Sequence, residues 1–177
     1  MLKGSHVILR PIRKEDLQLF LKWFNDQEVI RYLNFYLPVM ESMEEKWIED
    51  LAKPDSDRVV FMIEAKTGEN EFKPIGTCGL HGIDHHDQNA TLGIALGEKN
   101  LHRKGYGSEA GRLIVDYGFK ELNLHRIGSF AFEENAPSIG LHRKLGFKQE
   151  GIVRECKFKG GKFHNLVAFS LLRGEQK

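Results

Sequence analysis

A glycine-containing segment between a predicted strand and a predicted helix has the residue types best suited to bind a ligand. It covers residues 96–110 and places Gly105 and Gly107 close to the predicted helix start. Backbone N–H groups at a helix start have no intrahelical acceptor and carry partial positive charge, so they bind phosphates. Arg103 and Lys104 add positive charge. The segment therefore predicts either a pyrophosphate site or a glycine-containing turn with a solvated basic rim.

Two general phosphate motifs fit this segment poorly. A P-loop requires four residues between its first glycine and a Gly-Lys-Ser/Thr triplet, and that spacing does not occur here. Residues 105–110 match the dinucleotide fingerprint G-x-G-x-x-A. That fingerprint belongs in a tight turn after the first strand of a βαβ unit, whereas this segment follows strands predicted to be antiparallel. A nicotinamide-dependent oxidoreductase is therefore a distant alternative.

The spacing of apolar residues predicts the elements that position this segment. In chain order these are strand 7–12, helices from 17 and 42, strands 59–63, 75–83 and 90–96, a helix from 108, strand 125–132, a helix from 135, and strands 148–156 and 163–172. The three consecutive strands favour an antiparallel meander. We expect one α/β (α+β) domain over residues 1–177, with a mixed, mostly antiparallel twisted sheet of about seven strands flanked by helices.

Several helix ends have local signatures. Ser42 and Glu45 have the spacing of a capping box, in which each side chain bonds the other residue's backbone N–H. Asn135 is predicted to cap the fourth helix, with Pro137 in its first turn. Gly146 is predicted to end that helix. Gly93 lies inside a predicted strand, where glycine is typical of an irregularity or of a ligand close to the backbone.

Composition excludes several classes of protein. The 26 basic and 25 acidic residues nearly cancel, which argues against a nucleic-acid-binding protein, and no apolar run has the ~18 residues of a membrane span. Cys78 and Cys156 cannot form a disulfide framework; as lone strand cysteines they are expected to be small core residues, and they favour a cytoplasmic setting. His81, His85 and His86 lack a convincing further ligand, so we expect no metal.

Two motifs in the second half of the chain resemble those of the GNAT superfamily of acetyl-CoA-dependent N-acetyltransferases. The family's pyrophosphate-binding segment reads Q/R-x-x-G-x-G/A, and residues 102–107 read H-R-K-G-Y-G, which departs at the first position. The second signature is an asparagine before a short helix that ends in Gly-Phe. Here these residues are Asn135, Gly146 and Phe147.

The resemblance extends to the branch that includes ribosomal-protein N-terminal acetyltransferases and spermidine acetyltransferases. Residues 7–11, 105–110, 145–147 and 151–154 resemble that branch. It implies a sheet split between the fourth and fifth strands and direct transfer of an acetyl group from acetyl-CoA to an amine. It also implies a set of coenzyme-binding residues: Ile94, Leu96, His102, Arg103, Lys104, Gly105, Tyr106, Gly107, Ser108, Asn135 and Ser138.

The resemblance also implies a general acid for the departing thiolate. The family often has a tyrosine at the position of His142, and the ribosomal branch can use a serine at the position of Ser138. We expect one of these two residues to be catalytic and prefer Ser138. A backbone N–H near residues 93–96 is expected to stabilise the oxyanion.

The general base is less defined. The family often places a glutamate near the position of Thr91, and threonine cannot act as a base. His81, Asp84, His85 and Glu155 are the remaining candidates, acting directly or through a water.

The acceptor amine is expected to bind near residues 25–40 and the loop 84–89. Tyr32, Phe35, Tyr36 and His81 are the candidate acceptor-binding residues. The predicted acceptor is a protein N-terminus, marginally preferred, or a small amine such as a polyamine. A non-catalytic acyl-CoA sensor on the same fold is the alternative, and the oligomeric state, a homo-oligomer included, is left open.

Overall fold

The computed structural model describes residues 1–36, 38–53, 56–69 and 71–176. Its strands are β1 (Leu2–Lys3), β2 (Val7–Pro11), β3 (Val59–Lys66), β4 (Phe72–Asp84), β5 (Asn89–Leu96), β6 (Arg126–Phe132), β7 (Lys148–Lys159) and β8 (Lys162–Leu172). Its α-helices are α1 (Leu17–Phe24), α2 (Glu41–Leu51), α3 (Tyr106–Lys120) and α4 (Ala136–Lys144). The element order agrees with the predicted one, with β1 added at the start.

One eight-stranded sheet runs through the molecule in the order β1-β2-β3-β4-β5-β6-β8-β7. The β5–β6 pair is parallel, and the other neighbouring strands in the described chain pair antiparallel. The parallel ladder is short, running from Asn89 opposite Arg126 to Thr91 opposite Gly128. Both strands continue beyond it, so the sheet splits between β5 and β6. This confirms the mixed α/β fold and the split.

The two faces of the sheet pack against different helices. The larger core cluster places α3 residues such as Ala110 and Ile114 against strand residues such as Leu80 and Ile127. The smaller cluster centres on α1, whose buried aromatic residues pack around Met62 of β3. Burial of these apolar side chains is the main contribution to the stability of the fold.

A buried ion pair orients the start of α1. The Arg10 guanidinium donates to both carboxylate oxygens of Asp16, at 2.7 and 2.8 Å, and its Nε donates to Glu64 at 2.7 Å. The Arg13 backbone N–H also donates to Asp16, at 2.8 Å. Because an unpaired buried charge is costly, these bonds fix the junction between β2 and α1.

Three local predictions differ from the structure. The capping box is wrong, because α2 begins at Glu41 after Met40 and Ser42 lies inside its first turn. Gly93 pairs in regular register with Gly79, so the irregularity of the β4–β5 pair lies elsewhere, between His81 and Asp84. Helix α3 begins at Tyr106, two residues before the predicted start.

Both cysteines were expected in the core, and this is wrong for one of them. Cys78 is buried in the core, as expected. Cys156 is exposed, because β7 is an edge strand that has a neighbour only on its β8 side in the described sheet.

Candidate active site

A cleft of about 1700 Å³ opens where β5 and β6 separate. It extends from the start of α3 along the split to α2 and the loop before it. The backbone of β5 beyond Thr91 no longer pairs with β6. On the side of β5 that faces away from β4, the backbone groups beyond the Leu92 carbonyl, which accepts from Ser129, therefore have no strand partner. The oxyanion prediction requires such a group.

The start of α3 provides unpaired amides at one end of the cleft. Gly105 is the N-cap residue and has φ +89°, a left-handed conformation that glycine adopts without strain. Ser108 and Glu109 both donate their N–H groups to the Gly105 carbonyl, at 3.0 and 3.1 Å. In the described chain the N–H groups of residues 103–107 have no backbone acceptor. Five successive free amides at a helix start fit the pyrophosphate of coenzyme A.

The predicted coenzyme-binding residues separate into two groups. Most of them line the cleft: Ile94, Leu96, His102, Arg103, Gly105, Gly107, Ser108, Asn135 and Ser138. Lys104 and Tyr106 are not among the lining residues, and the Tyr106 hydroxyl lies 3.4 Å from the Lys66 carbonyl at the end of β3. His102 Nε2 lies 3.1 Å from the Leu96 carbonyl, so its ring closes the loop between β5 and α3.

His142 lines the cleft but is almost entirely buried. The residue is 5% exposed, and its ring stacks on Phe169 with centroids 4.8 Å apart and meets Phe147 edge-on. Nδ1 lies 2.7 Å from the Ser138 carbonyl and Nε2 lies 2.7 Å from Ser129 Oγ. Burial lowers the pKa of His142, although the bond to Ser138 opposes that shift. Both ring nitrogens are therefore engaged within the protein.

Ser138 has a hydroxyl that is free to donate. Its backbone N–H donates to the Asn135 side chain at 3.2 Å, which confirms the predicted cap of α4. Gly146 follows α4 with φ +87°, as predicted. The hydroxyl has no hydrogen-bond partner among the residues that the structure describes, and Ser138 is a half-buried lining residue of the cleft.

His81 is the one predicted base that lines the cleft. Its ring lies beside Gly93 on the neighbouring strand, so close that a Cβ atom added to Gly93 would be 3.2 Å from Nε2. Burial lowers the pKa of His81, and the nearby Arg58 charge lowers it further. A neutral imidazole therefore faces the split. Asp84, His85 and Glu155 are exposed and are not among the lining residues.

The structure does not bring His81, His85 and His86 together. His81 lies in the cleft, whereas His85 and His86 are exposed. Asp84 groups with His86 and Asp87, but its Oδ1 accepts the backbone N–H groups of both neighbours at 2.8 Å. These bonds form the turn itself.

Aromatic residues of the loop before α2 cover the other end of the cleft. Tyr32 and Phe35 line it, whereas Tyr36 is exposed and does not. Phe35 stacks on Phe24 with ring centroids 4.6 Å apart, and Tyr32 packs against Phe132 at 5.7 Å. The loop is therefore packed against both α1 and β6.

Glu44 is a cleft residue that the sequence did not reveal. It lies on α2, is 7% exposed, and its Oε2 is buried without a hydrogen-bond partner. Burial raises its pKa. A glutamate in a helix ordinarily faces solvent, so only the tertiary packing identifies this carboxyl group.

Comparison with known proteins gives matches to one enzyme family. The family model described as "Acetyltransferase (GNAT) domain" matches residues 6–148. An uncharacterized N-acetyltransferase p20 of Bacillus licheniformis is 35% identical over 97% of this chain and 95% of its own length. The spermidine N(1)-acetyltransferase of Escherichia coli K12 is 30% identical over 98% of this chain and 89% of its own length.

A solved structure has the same fold. The spermidine N-acetyltransferase of Vibrio cholerae, crystallised with CoA and spermine, superposes with a TM-score of 0.88 at 22% identity, over 97% of this chain and 98% of that one.

The chain belongs to the GNAT family and is an acetyl-CoA-dependent N-acetyltransferase. The alternative of a nicotinamide-dependent oxidoreductase is therefore wrong; the glycine segment follows the last strand of an antiparallel meander, not the first strand of a βαβ unit. No helix in the described part of the chain is long and apolar enough to cross a membrane.

Proposed function

We propose that this enzyme acetylates a small amine that carries a second positive charge, rather than a protein N-terminus. The observation that carries the proposal is Glu44, a cleft carboxyl group with one buried, unpartnered oxygen. Such an oxygen is costly to bury unless a ligand pairs with it. An ammonium group on the acceptor, distant from the reacting amine, is the complementary partner. The spermidine acetyltransferase relatives support the same class of acceptor.

The coenzyme is held by the start of α3. The free amides of residues 103–107 and the side chain of Arg103 bind its pyrophosphate. The acetyl thioester then lies along β5, where the N–H groups beyond Thr91 are released from pairing with β6 and one of them stabilises the oxyanion.

His81 acts as the general base. Its neutral ring takes a proton from the reacting ammonium, and the free amine attacks the thioester carbonyl. The new C–N bond forms as the C–S bond breaks, and the sulfur atom of coenzyme A leaves as a thiolate. Ser138 donates a proton to that thiolate, because its hydroxyl is free whereas both nitrogens of His142 are engaged. The newly acylated nitrogen loses its remaining extra proton, which restores the Ser138 hydroxyl.

Thiol release from acetyl-CoA tests the acceptor class. The wild-type enzyme is assayed with spermidine, with butylamine, and with a tripeptide that has a free amino terminus. We expect the kcat/KM for spermidine to exceed that for butylamine roughly tenfold or more, as a charged hydrogen bond of about 1.5–3 kcal/mol predicts. If the enzyme acetylates the tripeptide and neither of the other amines, the proposal is contradicted. If the protein binds the coenzyme but acetylates no amine, a non-catalytic sensor is favoured.

Two variants on α2 test whether Glu44 causes the preference for spermidine over butylamine. Glu44→Gln keeps the shape of the side chain but removes its charge, so the preference for spermidine over butylamine should fall toward one. Glu45→Gln is the matched control, because Glu45 is the exposed neighbour on the same helix. A preference that survives Glu44→Gln shows that another group binds the second charge.

A further inference from the structure

A lysine from the last hairpin reaches the loop that covers the acceptor end of the cleft. Lys159 is the final residue of β7, next to the Gly160–Gly161 turn. Its ammonium group donates to the backbone carbonyls of Ile30 at 2.6 Å, Leu33 at 2.5 Å and Phe35 at 3.2 Å. An ammonium group has three N–H donors, so all three are used on one loop.

The only regular structure in the described part of this loop is a short 3-10 helix, Ile30–Tyr32, so most of its carbonyl groups depend on other donors. In the described chain, the Leu33 and Phe35 carbonyls accept no other hydrogen bond, and the Ile30 carbonyl also accepts from the Leu33 N–H at 2.9 Å. The two ends of the loop are joined separately, since the Asn25 side chain exchanges two bonds with the Val39 backbone, at 2.9 and 3.0 Å. Lys159 therefore holds the middle of a loop whose ends are already fixed.

The position of the lysine is itself fixed by its surroundings. The Lys159 carbonyl accepts a hydrogen bond from His164 Nε2 at 3.0 Å, and His164 Nδ1 lies 2.9 Å from Glu134. The Lys159 ammonium also lies 5.7 Å from the centre of the Tyr36 ring. Charged groups surrounded by carbonyl oxygens form directional, charge-assisted bonds, so the lysine specifies one loop conformation.

We propose that Lys159 is a positioning residue for the acceptor amine. It acts through the loop, because the loop residues Tyr32 and Phe35 line the cleft and Lys159 does not. The β7–β8 hairpin thereby contributes to the acceptor site. The inference rests on the proposed function only for the identity of the amine; the contact between hairpin and loop is independent of it.

Hydrogen–deuterium exchange tests the contact directly. In Lys159→Met, which keeps the length of the side chain but lacks its donors, amides in a peptide covering residues 27–36 should exchange roughly tenfold faster or more than in the wild type, as loss of charged hydrogen bonds predicts. Lys159→Gln, which retains two N–H donors, should show a smaller rise and serves in place of Lys159→Met if that variant does not fold. Exchange equal to the wild type in both variants overturns the proposal.

Steady-state kinetics tests the consequence. Lys159→Met should raise the KM for spermidine roughly tenfold and leave the KM for acetyl-CoA and the melting temperature nearly unchanged. Lys162→Met is the matched control, because this exposed hairpin lysine lies 3.8 Å from Glu134 and does not reach the loop. Equal changes in both variants overturn the positioning role. If the wild type does not turn over spermidine, the proposed function fails, and the exchange experiment alone decides the role of Lys159.

Discussion

His142 Nε2 lies 2.7 Å from Ser129 Oγ, and the two residues join α4 to β6 at the point where the sheet splits. Ser129 Oγ also lies 3.0 Å from the Leu92 carbonyl on β5. A neutral ring that donates from Nδ1 to the Ser138 carbonyl must accept at Nε2, so the single Ser129 proton is shared between His142 and Leu92. This contact bridges the two strands immediately beyond their last backbone pair.

Ser129→Ala should destabilise the protein, because it leaves a buried ring nitrogen and a strand carbonyl without a partner. We expect the free energy of unfolding to fall by about 1–3 kcal/mol in urea denaturation. His142→Phe keeps the stacking on Phe169 and removes the hydrogen bonds. When His142 is already phenylalanine, Ser129→Ala should lower the free energy of unfolding by at least ~0.5 kcal/mol less than it does in the wild type, as expected for residues in contact. Strictly additive effects would show that the two side chains are not coupled.

The ends of α4 were predictable from the sequence because their signals are local. Asn135 bonds the Ser138 N–H within its own turn, and Gly146 adopts a left-handed conformation at the other end. The Ser42–Glu45 spacing failed because the same spacing occurs inside a helix, where it caps nothing. Glu44 and Lys159 were missed for a different reason. Their roles depend on burial and on partners up to 129 residues away, which no local pattern reports.

Thiol labelling distinguishes the two cysteines. Cys78 is fully buried in the core, and burial raises the pKa of its thiol. Cys156 is exposed on β7. One thiol per chain should therefore react with a disulfide reagent under native conditions, and two in denaturant. Cys156→Ser should abolish the native reaction and so remove the protein background from the thiol-release assay. Rapid labelling of two thiols in the native protein would contradict the burial of Cys78.

Two substitutions of Gly105 distinguish the effect of backbone strain from the effect of a negative charge. Gly105 has φ +89°, and a Cβ there would have no atom within 4 Å. Asparagine tolerates this conformation better than most residues, and aspartate has nearly the same shape with a negative charge. Gly105→Asn and Gly105→Asp should lose similar stability, whereas Gly105→Asp should bind coenzyme A roughly tenfold more weakly or worse than Gly105→Asn, because its carboxylate meets the pyrophosphate. Equal affinities by calorimetry would contradict the phosphate-binding role.

The pH dependence of catalysis tests His81. Burial lowers its pKa below the ordinary 6.5, and a base must be unprotonated to act. The acid limb of kcat/KM against pH, which reports the free enzyme, should therefore have its midpoint below 6.5. His81→Gln should remove that limb and lower kcat by about 10²–10⁴-fold, the usual contribution of a general base. A midpoint that persists in His81→Gln would assign the limb to another group.

Removing the charge of Glu44 should stabilise the ligand-free enzyme while weakening acceptor binding. Burial raises the pKa of Glu44 above its ordinary 4.5, so the folded state holds this proton more tightly than the unfolded chain does. Its contribution to stability is therefore full below pH 4.5 and is lost as the pH rises through the folded-state pKa. Glu44→Gln should unfold at a higher temperature than the wild type at pH 7.5, with the difference shrinking toward pH 4. At pH 7.5 and saturating spermidine, the wild type should instead have the higher unfolding temperature, because spermidine stabilises only the protein that binds it well. A wild type that is the more stable of the two at pH 7.5 without any amine would show that the Glu44 carboxylate already has a partner in the protein.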